Sequence, residues 1–211
     1  INKTKAVMSG RTGAPLLQPY RDLCRLFRKS MVISETTTWI FIAGPVVSLV
    51  TVLAAGLLVP FGRFSAPLSF AGDLVLFAYL FGLARFFTTA AALDTGSAFE
   101  GMGASREATF ACITEPALFF GLLVLAKLSG SLSLSGILHA PATVQATGMT
   151  APLLLTGIGL FIVLLAETCR IPVDDPNTHL ELTMIHEVMV LDHSGPLFGL
   201  VLYAAALKLY V

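Results

Sequence analysis

The chain has 211 residues, 55% of them hydrophobic and only 12% charged, and its mean hydropathy is +0.83. Soluble domains carry roughly 25% charged residues, so the composition excludes an ordinary soluble domain and describes an integral membrane protein. Net charge is zero; the balance gives no sign of nucleic acid, and none is expected as a partner.

Long unbroken apolar runs favour spanning helices over the alternating pattern of a barrel. Residues 1–37 are polar and basic, with Lys3, Lys5, Arg11, Arg21, Arg25, Arg28 and Lys29 against only Asp22 and Glu35. Pro19 suits the first turn of a helix. Tyr20, Leu23, Leu26 and Phe27 then share one face, and Arg21, Arg25 and Arg28 the other. That pattern is an amphipathic interfacial helix, with a solvated basic loop as the alternative. Thr38–Phe61 is the first span, with Pro45 as a candidate kink. A Pro/Gly turn leads to the second span, Gly72–Leu93. Its 22 residues reach about 33 Å at about 1.5 Å each, enough for the bilayer core.

Asp94–Glu107 reads as a charged Gly/Ser loop, with Ser105 as the N-cap of a third span over Ala108–Leu128. Residues 129–150 form an uncharged loop, Ala151–Ala166 the fourth span, and Leu197 begins the fifth. The final apolar run ends after about 15 residues, short of the roughly 20 a span needs, and Ile1 is not a start methionine. Residues 1–211 are therefore expected to be one all-α transmembrane bundle of about five helices, an internal portion of a longer chain.

Alternate loops lie on opposite faces of the membrane. Loops 1–37, 94–107 and 167–196 share one face, with nine Lys/Arg and 11 of the 13 carboxylates. The loops opposite hold Arg63 alone among Lys/Arg. The positive-inside rule makes the charged face cytoplasmic. So much polar chemistry on one face suggests that something docks there.

Arg85 and Glu115 each lie about eight residues from that face on sequential helices, hence at similar depth. An intramembrane ion pair follows, either a proton relay or a structural pair that fixes helix packing. Lys127 is expected to snorkel, and a relay role for Lys208 is a weaker reading. The stretch Ala166–Gly195 carries Glu167, Asp174, Asp175, Glu181, Glu187 and Asp192. Asp175-Pro176 looks like a helix start, with Thr178 and Glu181 as an alternative capping box, and the helix would run to about Leu191. His179, His186 and His193 recur every seven residues. That is not the i, i+4 pair that grips one ion, so hydrogen-bonded or docking histidines are expected and no metal. Cys24, Cys112 and Cys169 lie far apart and read as unpaired thiols. Glycines 96, 101 and 103 have no following Gly-Lys-Ser/Thr and make no phosphate loop.

Two motifs then converge. Leu17-Gln18-Pro19, Asp22 and Arg25-Leu26 resemble the L-Q-P-x-x-D-x-x-K-L loop of the membrane subunit that couples the two arms of respiratory complex I. Ala166-Glu167, Arg170, Pro172 and Asp174, followed by Glu181-Leu182 and Ser194-Gly195, resemble its second signature loop. Leu93-Asp94-Thr95-Gly96-Ser97 with Gly103-Ala104-Ser105-Arg106-Glu107 is more similar to the relative found in membrane-bound [NiFe] hydrogenases, formate hydrogenlyase subunit 4. Asn177 and His179 replace glutamates of the complex I branch, Val173 its Phe, and Asp192-His193 its Glu-Tyr. The segment Leu182–Asp192 is also about one helical turn longer, and these departures favour the hydrogenase branch.

The resemblance implies a membrane anchor and proton-coupling subunit of a [NiFe] hydrogenase complex. This chain would bind no cofactor; its partners would carry [NiFe] and iron–sulfur clusters. Those partners would be hydrogenase large and small subunits, iron–sulfur subunits and antiporter-like membrane subunits. The implied proton path is Glu115, Arg85, Asp94, Glu107, Glu167, Asp174 and Glu181. The implied docking residues are Arg11, Gln18, Asp22, Arg25, Arg170, Asp175, His179, His186 and Asp192. The chain would be a subunit of an oxidoreductase without redox centres or catalytic residues of its own. A quinone-site subunit of a complex I-like enzyme is the alternative; a standalone ion transporter fits the one-sided charge less well.

Overall fold

The computed structural model describes residues 6–13, 15, 17–62, 64–139, 150–171, 173–174 and 184–211. Among them every named element is a helix, and the only β pairing is an isolated bridge between Phe61 and Phe64. The expected all-α membrane bundle is what forms. Helix α1 (Gln18–Phe27) starts on Pro19 as anticipated and buries none of its residues. It lies against α8 (Gly195–Tyr210), where Gly199 leaves room for Leu26 and Phe27.

Helices α2 (Trp39–Leu58), α3 (Asp73–Asp94) and α4 (Ala98–Ser129) are long and apolar enough to cross a membrane. Helix α6 (Thr150–Glu167) and α8 are apolar but shorter. Short helices α5 (Leu134–Leu138) and α7 (His186–Met189) complete the set. The five anticipated spans are thus all present as helices, three of them with full spanning length.

Two boundaries need correction. The anticipated loop over residues 94–107 is nearly all helix: α4 begins at Ala98 and runs 32 residues without a break. Gly96 takes the left-handed backbone (φ +69°) that ends the preceding turn, and Ala98, Phe99, Glu100 and Met102 resume helix at once. Ser105 is inside the helix, and its hydroxyl donates to the Met102 carbonyl at 2.8 Å. At about 48 Å, α4 exceeds the roughly 30 Å hydrocarbon core. The second correction concerns the helix anticipated from Asp175 to Leu191. Its start lies outside the described residues, but Met184 and Ile185 are not helical, so no single helix reaches Leu191. The Asp174 carboxylate accepts the N–H groups of Ile185 (3.2 Å) and His186 (3.0 Å), which starts α7 afresh at His186.

Each end of the bundle is tied by a buried or half-buried carboxylate. At one end Asp73, fully buried, accepts the Ser133 hydroxyl and the Leu134 N–H, each at 2.8 Å. At the other, Asp94 accepts the Thr38 N–H (2.7 Å) and hydroxyl (2.9 Å), holding the start of α2 to the end of α3. Nearby, Glu100 accepts the Asp192 N–H at 3.0 Å, Arg106 donates to Met184 O at 2.9 Å, and Val32 N–H donates to Ser194 at 3.0 Å. The segments around residues 32–38, 94–106 and 184–194 therefore meet at one end, as the alternation of spans requires.

Small residues set how closely the helices approach. A Cβ on Gly44 of α2 would stand 2.7 Å from Ala91 Cβ and 3.1 Å from the Phe87 carbonyl of α3. In a bilayer such contact is a main source of helix association. Gly44→Leu is expected to destabilise the protein by about 1–3 kcal/mol, read as a lower thermal midpoint in detergent. An unchanged midpoint would show that α2 and α3 are not held by this contact.

Candidate functional site: a buried charge cluster

Among the described residues, five charged side chains from four helices converge inside the bundle. Arg85 of α3 is the hub. Its Nε lies 2.9 Å from Glu107 Oε1, its Nη1 donates to Glu115 Oε1 at 2.6 Å, and its Nη2 pairs with Glu167 Oε1. Lys208 of α8 closes the set, 2.9 Å from Glu167 Oε2 and 5.4 Å from the Phe81 ring centroid, within cation–π range. The planar guanidinium presents five donors in a fixed fork, which is why one arginine reaches carboxylates on two helices. The arginine and Glu167 side chains are 7% and 8% exposed, whereas Glu115 is 48% exposed on the flank of α4.

The charges do not cancel. With the half-exposed Glu115 counted, two cations face three carboxylates, so full ionisation leaves one negative charge in excess. In a low-dielectric interior an uncompensated charge is costly, and one bound proton neutralises the set. The arrangement can therefore hold a proton and exchange it among three acids.

The end of α6 shapes the cluster's floor. Cys169 takes a left-handed backbone (φ +47°), and Arg170 N–H reaches back to Leu165 O at 2.9 Å. This is the helix-ending geometry usually given to glycine. It turns the thiol to within 3.8 Å of Glu107 Oε2. Burial, and then the Glu107 charge, push the thiol well above its ordinary range, so it is a neutral donor and not a nucleophile.

Between the cluster and the loop end lies a cavity of about 60 Å³, lined by Arg85, Glu107, Glu167, Cys169, His186 and Lys208 among others. His186 turns its ring inward, and its buried Nε2 has no hydrogen-bond partner among the described residues. Burial, with Lys208 next, brings its pKa from 6.5 down to about 4. His193 is also buried: it stacks on Phe41 with centroids 4.1 Å apart, and burial lowers its pKa too. A larger apolar cavity of about 200 Å³ opens beside Glu167 and Lys208, walled by Phe77, Phe81, Leu118 and Leu160.

The structure brings together Arg85, Glu107, Glu115 and Glu167 of the expected proton path. It sets Asp94 and Asp174 apart, as caps for α2 and α7. Among the expected docking residues, Arg11, Arg25, Arg170 and Asp192 are exposed. Gln18 and Arg25 both bond Asp22 within α1, at 3.1 and 3.0 Å. Asp175, His179 and Glu181 lie outside the described residues. No group of three or more His, Cys, Asp or Glu is arranged to hold a metal among the described residues. Sequence reasoning missed Glu100, which is fully buried. It sits seven residues before Glu107 on the same helical face, a spacing that flags it once the helix start is known.

An all-helical bundle with helices long and apolar enough to cross a membrane, enclosing an arginine among carboxylates, defines a class: a helical membrane protein with an internal charge cluster. The sequence pattern of the NADH dehydrogenase family matches residues 2–211, and the chain belongs to that family. It is 33% identical over 208 residues to formate hydrogenlyase subunit 4 of Escherichia coli (strain K12), covering 97% of this chain and 65% of that one. It is also 33% identical to hydrogenase-4 component C of the same organism, covering 97% and 63%. One of the subunits of the NADH-quinone oxidoreductase of Polaromonas naphthalenivorans (strain CJ2) is 30% identical, covering 90% and 55%. The chain thus spans just under two thirds of its two hydrogenase-type relatives. Its fold is similar to a chain in the membrane-bound sulfane sulfur reductase, an archaeal respiratory membrane complex. There the TM-score is 0.82 and the identity 24%, covering 99% of this chain and 67% of that one.

Two outcomes are expected. Arg85→Met leaves three carboxylates without their shared cation and should destabilise the protein by about 3–5 kcal/mol. Unfolding in detergent measures this, and Lys208→Met should cost less. For His186 the unfolded chain takes up a proton at higher pH than the folded one. Its burial therefore contributes stability that is intact above about pH 6.5 and lost as pH falls toward about 4. His186→Asn should flatten the fall in denaturation midpoint over that window. An unaltered slope would place the acid sensitivity elsewhere.

Proposed function

We propose that this chain is the membrane anchor and proton-coupling subunit of a membrane-bound [NiFe] hydrogenase complex of the formate hydrogenlyase type. The observation that carries the reading is the charge cluster on α3, α4, α6 and α8, buried except at Glu115, in which the carboxylates outnumber the cations by one once Glu115 is counted. The likeness to two hydrogenase-complex subunits supports the branch. The joined loop end, cytoplasmic by its excess of Lys and Arg, is the surface on which a redox arm docks, through Arg11, Arg25, Arg170 and Asp192. The hydrogenase and iron–sulfur subunits bring the [NiFe] and iron–sulfur centres, and antiporter-like subunits adjoin in the membrane.

Coupling follows from local electrostatics. A carboxylate in this site is held ionised by Arg85 or Lys208 and neutral by desolvation. A shift of either cation by a few ångströms, driven from the docked arm, alters which acid keeps the proton. Glu100, Glu107 and Glu115 all stand on α4, so one rigid helix spaces them over about 22 Å from the loop end into the bundle.

In membranes bearing the whole complex, Glu115→Gln is expected to lower hydrogen evolution and proton transport together by about tenfold or more. Unchanged rates of both would remove Glu115 from the path. Quinone-dependent turnover sensitive to quinone-site inhibitors would instead assign the chain to the complex I branch.

A further inference from the structure

The cavity above the cluster has a feature that docking does not use. It is polar on several sides, with Arg85, Glu107, Glu167, Lys208 and His186 among its walls. A water needs only about 10–15 Å³ of such volume and two to four polar partners; about 60 Å³ has room for more than one. The buried, unpartnered His186 Nε2 is a polar atom of the kind that internal water satisfies.

The backbone that carries the ring is also held in place. Asp174, itself buried, accepts the His186 N–H at 3.0 Å. One turn on, Met189 packs so tightly on α4 that a Cβ at Gly103 would stand 2.9 Å from its Cγ. His186 therefore stands at the boundary between the loop end and the cluster.

We infer that this cavity is a hydrated proton junction and that His186 is its entry, passing protons from the loop end to Glu107 or Glu167. The inference rests on the proposed coupling function. In the step, neutral His186 accepts one proton from water on the loop side and becomes imidazolium. It releases one from Nε2 through cavity water to a cluster carboxylate, and the ring returns to neutral. One proton moves and nothing is oxidised or reduced. The cluster's excess negative charge draws the proton inward. Lys208 and Arg170 oppose charge on the ring and Asp174 favours it, with His193 a further opposing group. Burial outweighs these, so the proton passes through His186 without resting there.

The test uses the intact complex in liposomes, with hydrogen evolution and dye-reported proton uptake measured together. His186→Ala is expected to lower both by about tenfold or more, and added imidazole to restore a large part of each. His186→Gln, which keeps a polar side chain but cannot relay, should stay low with or without imidazole. Full activity in either variant, or a loss in His186→Ala that imidazole leaves untouched, would overturn the inference. Glu167→Gln serves as the separate control. If it is inactive while His186→Ala is normal, only the junction fails. If Glu167→Gln is also fully active, the coupling function fails with it.

Discussion

The Arg85 guanidinium is the interaction on which the rest of this structure depends. Among the described residues it is the one group that touches carboxylates from both α4 and α6, and through Glu167 it reaches Lys208 of α8. Apolar packing in a bilayer offers little net drive for helix association, since lipid tails are as apolar as leucine. Close contacts at Gly44 and Gly121 bring helices near one another; the arginine fixes which helices meet and at what depth. A charge that must be neutralised inside the bundle leaves few other arrangements.

Around that hub the two ends of the bundle do different work. The far end is closed by Asp73, whose hydrogen bonds from Ser133 and Leu134 hold the α5 turn over a core of Leu58, Leu74, Leu122 and Ala126. The loop end is closed by Asp94, Glu100 and Asp174, each of which accepts backbone N–H groups of a neighbouring segment. Carboxylates that look alike by composition thus divide into caps, which fix the backbone, and cluster members, which face cations. The cavity lies at the boundary between the two groups.

Much of this was legible in the sequence. Runs of apolar residues located the spans, and equal depth from one face paired Arg85 with Glu115. The excess of charge on alternate loops brought three segments to one end. What escaped was the role of each carboxylate. Asp94 and Asp174 read as path residues because nothing local separates a cap from a relay; the difference lies in whether a backbone N–H or a cation stands opposite. Glu100 was hidden because Gly96, Gly101 and Gly103 suggested a loop, whereas Gly103 is there to admit Met189. His186 read as a docking residue because the start of α7, which carries it, is fixed through its backbone N–H by Asp174, 12 positions earlier.

Arg85 precedes in the chain every carboxylate that it pairs with: Glu107, Glu115 and Glu167 are all synthesised later. The α2–α3 hairpin is therefore made before any of the carboxylates that pair with this arginine among the described residues. On insertion scales that residue alone opposes partition by about 2.5–3.5 kcal/mol, against the apolar remainder of α3. Biogenesis is thus coupled to order of arrival. The hairpin gains its neutral interior only when α4 and α6 arrive beside it, so a chain stalled before Glu107 exposes to the insertion machinery an arginine that the finished fold conceals.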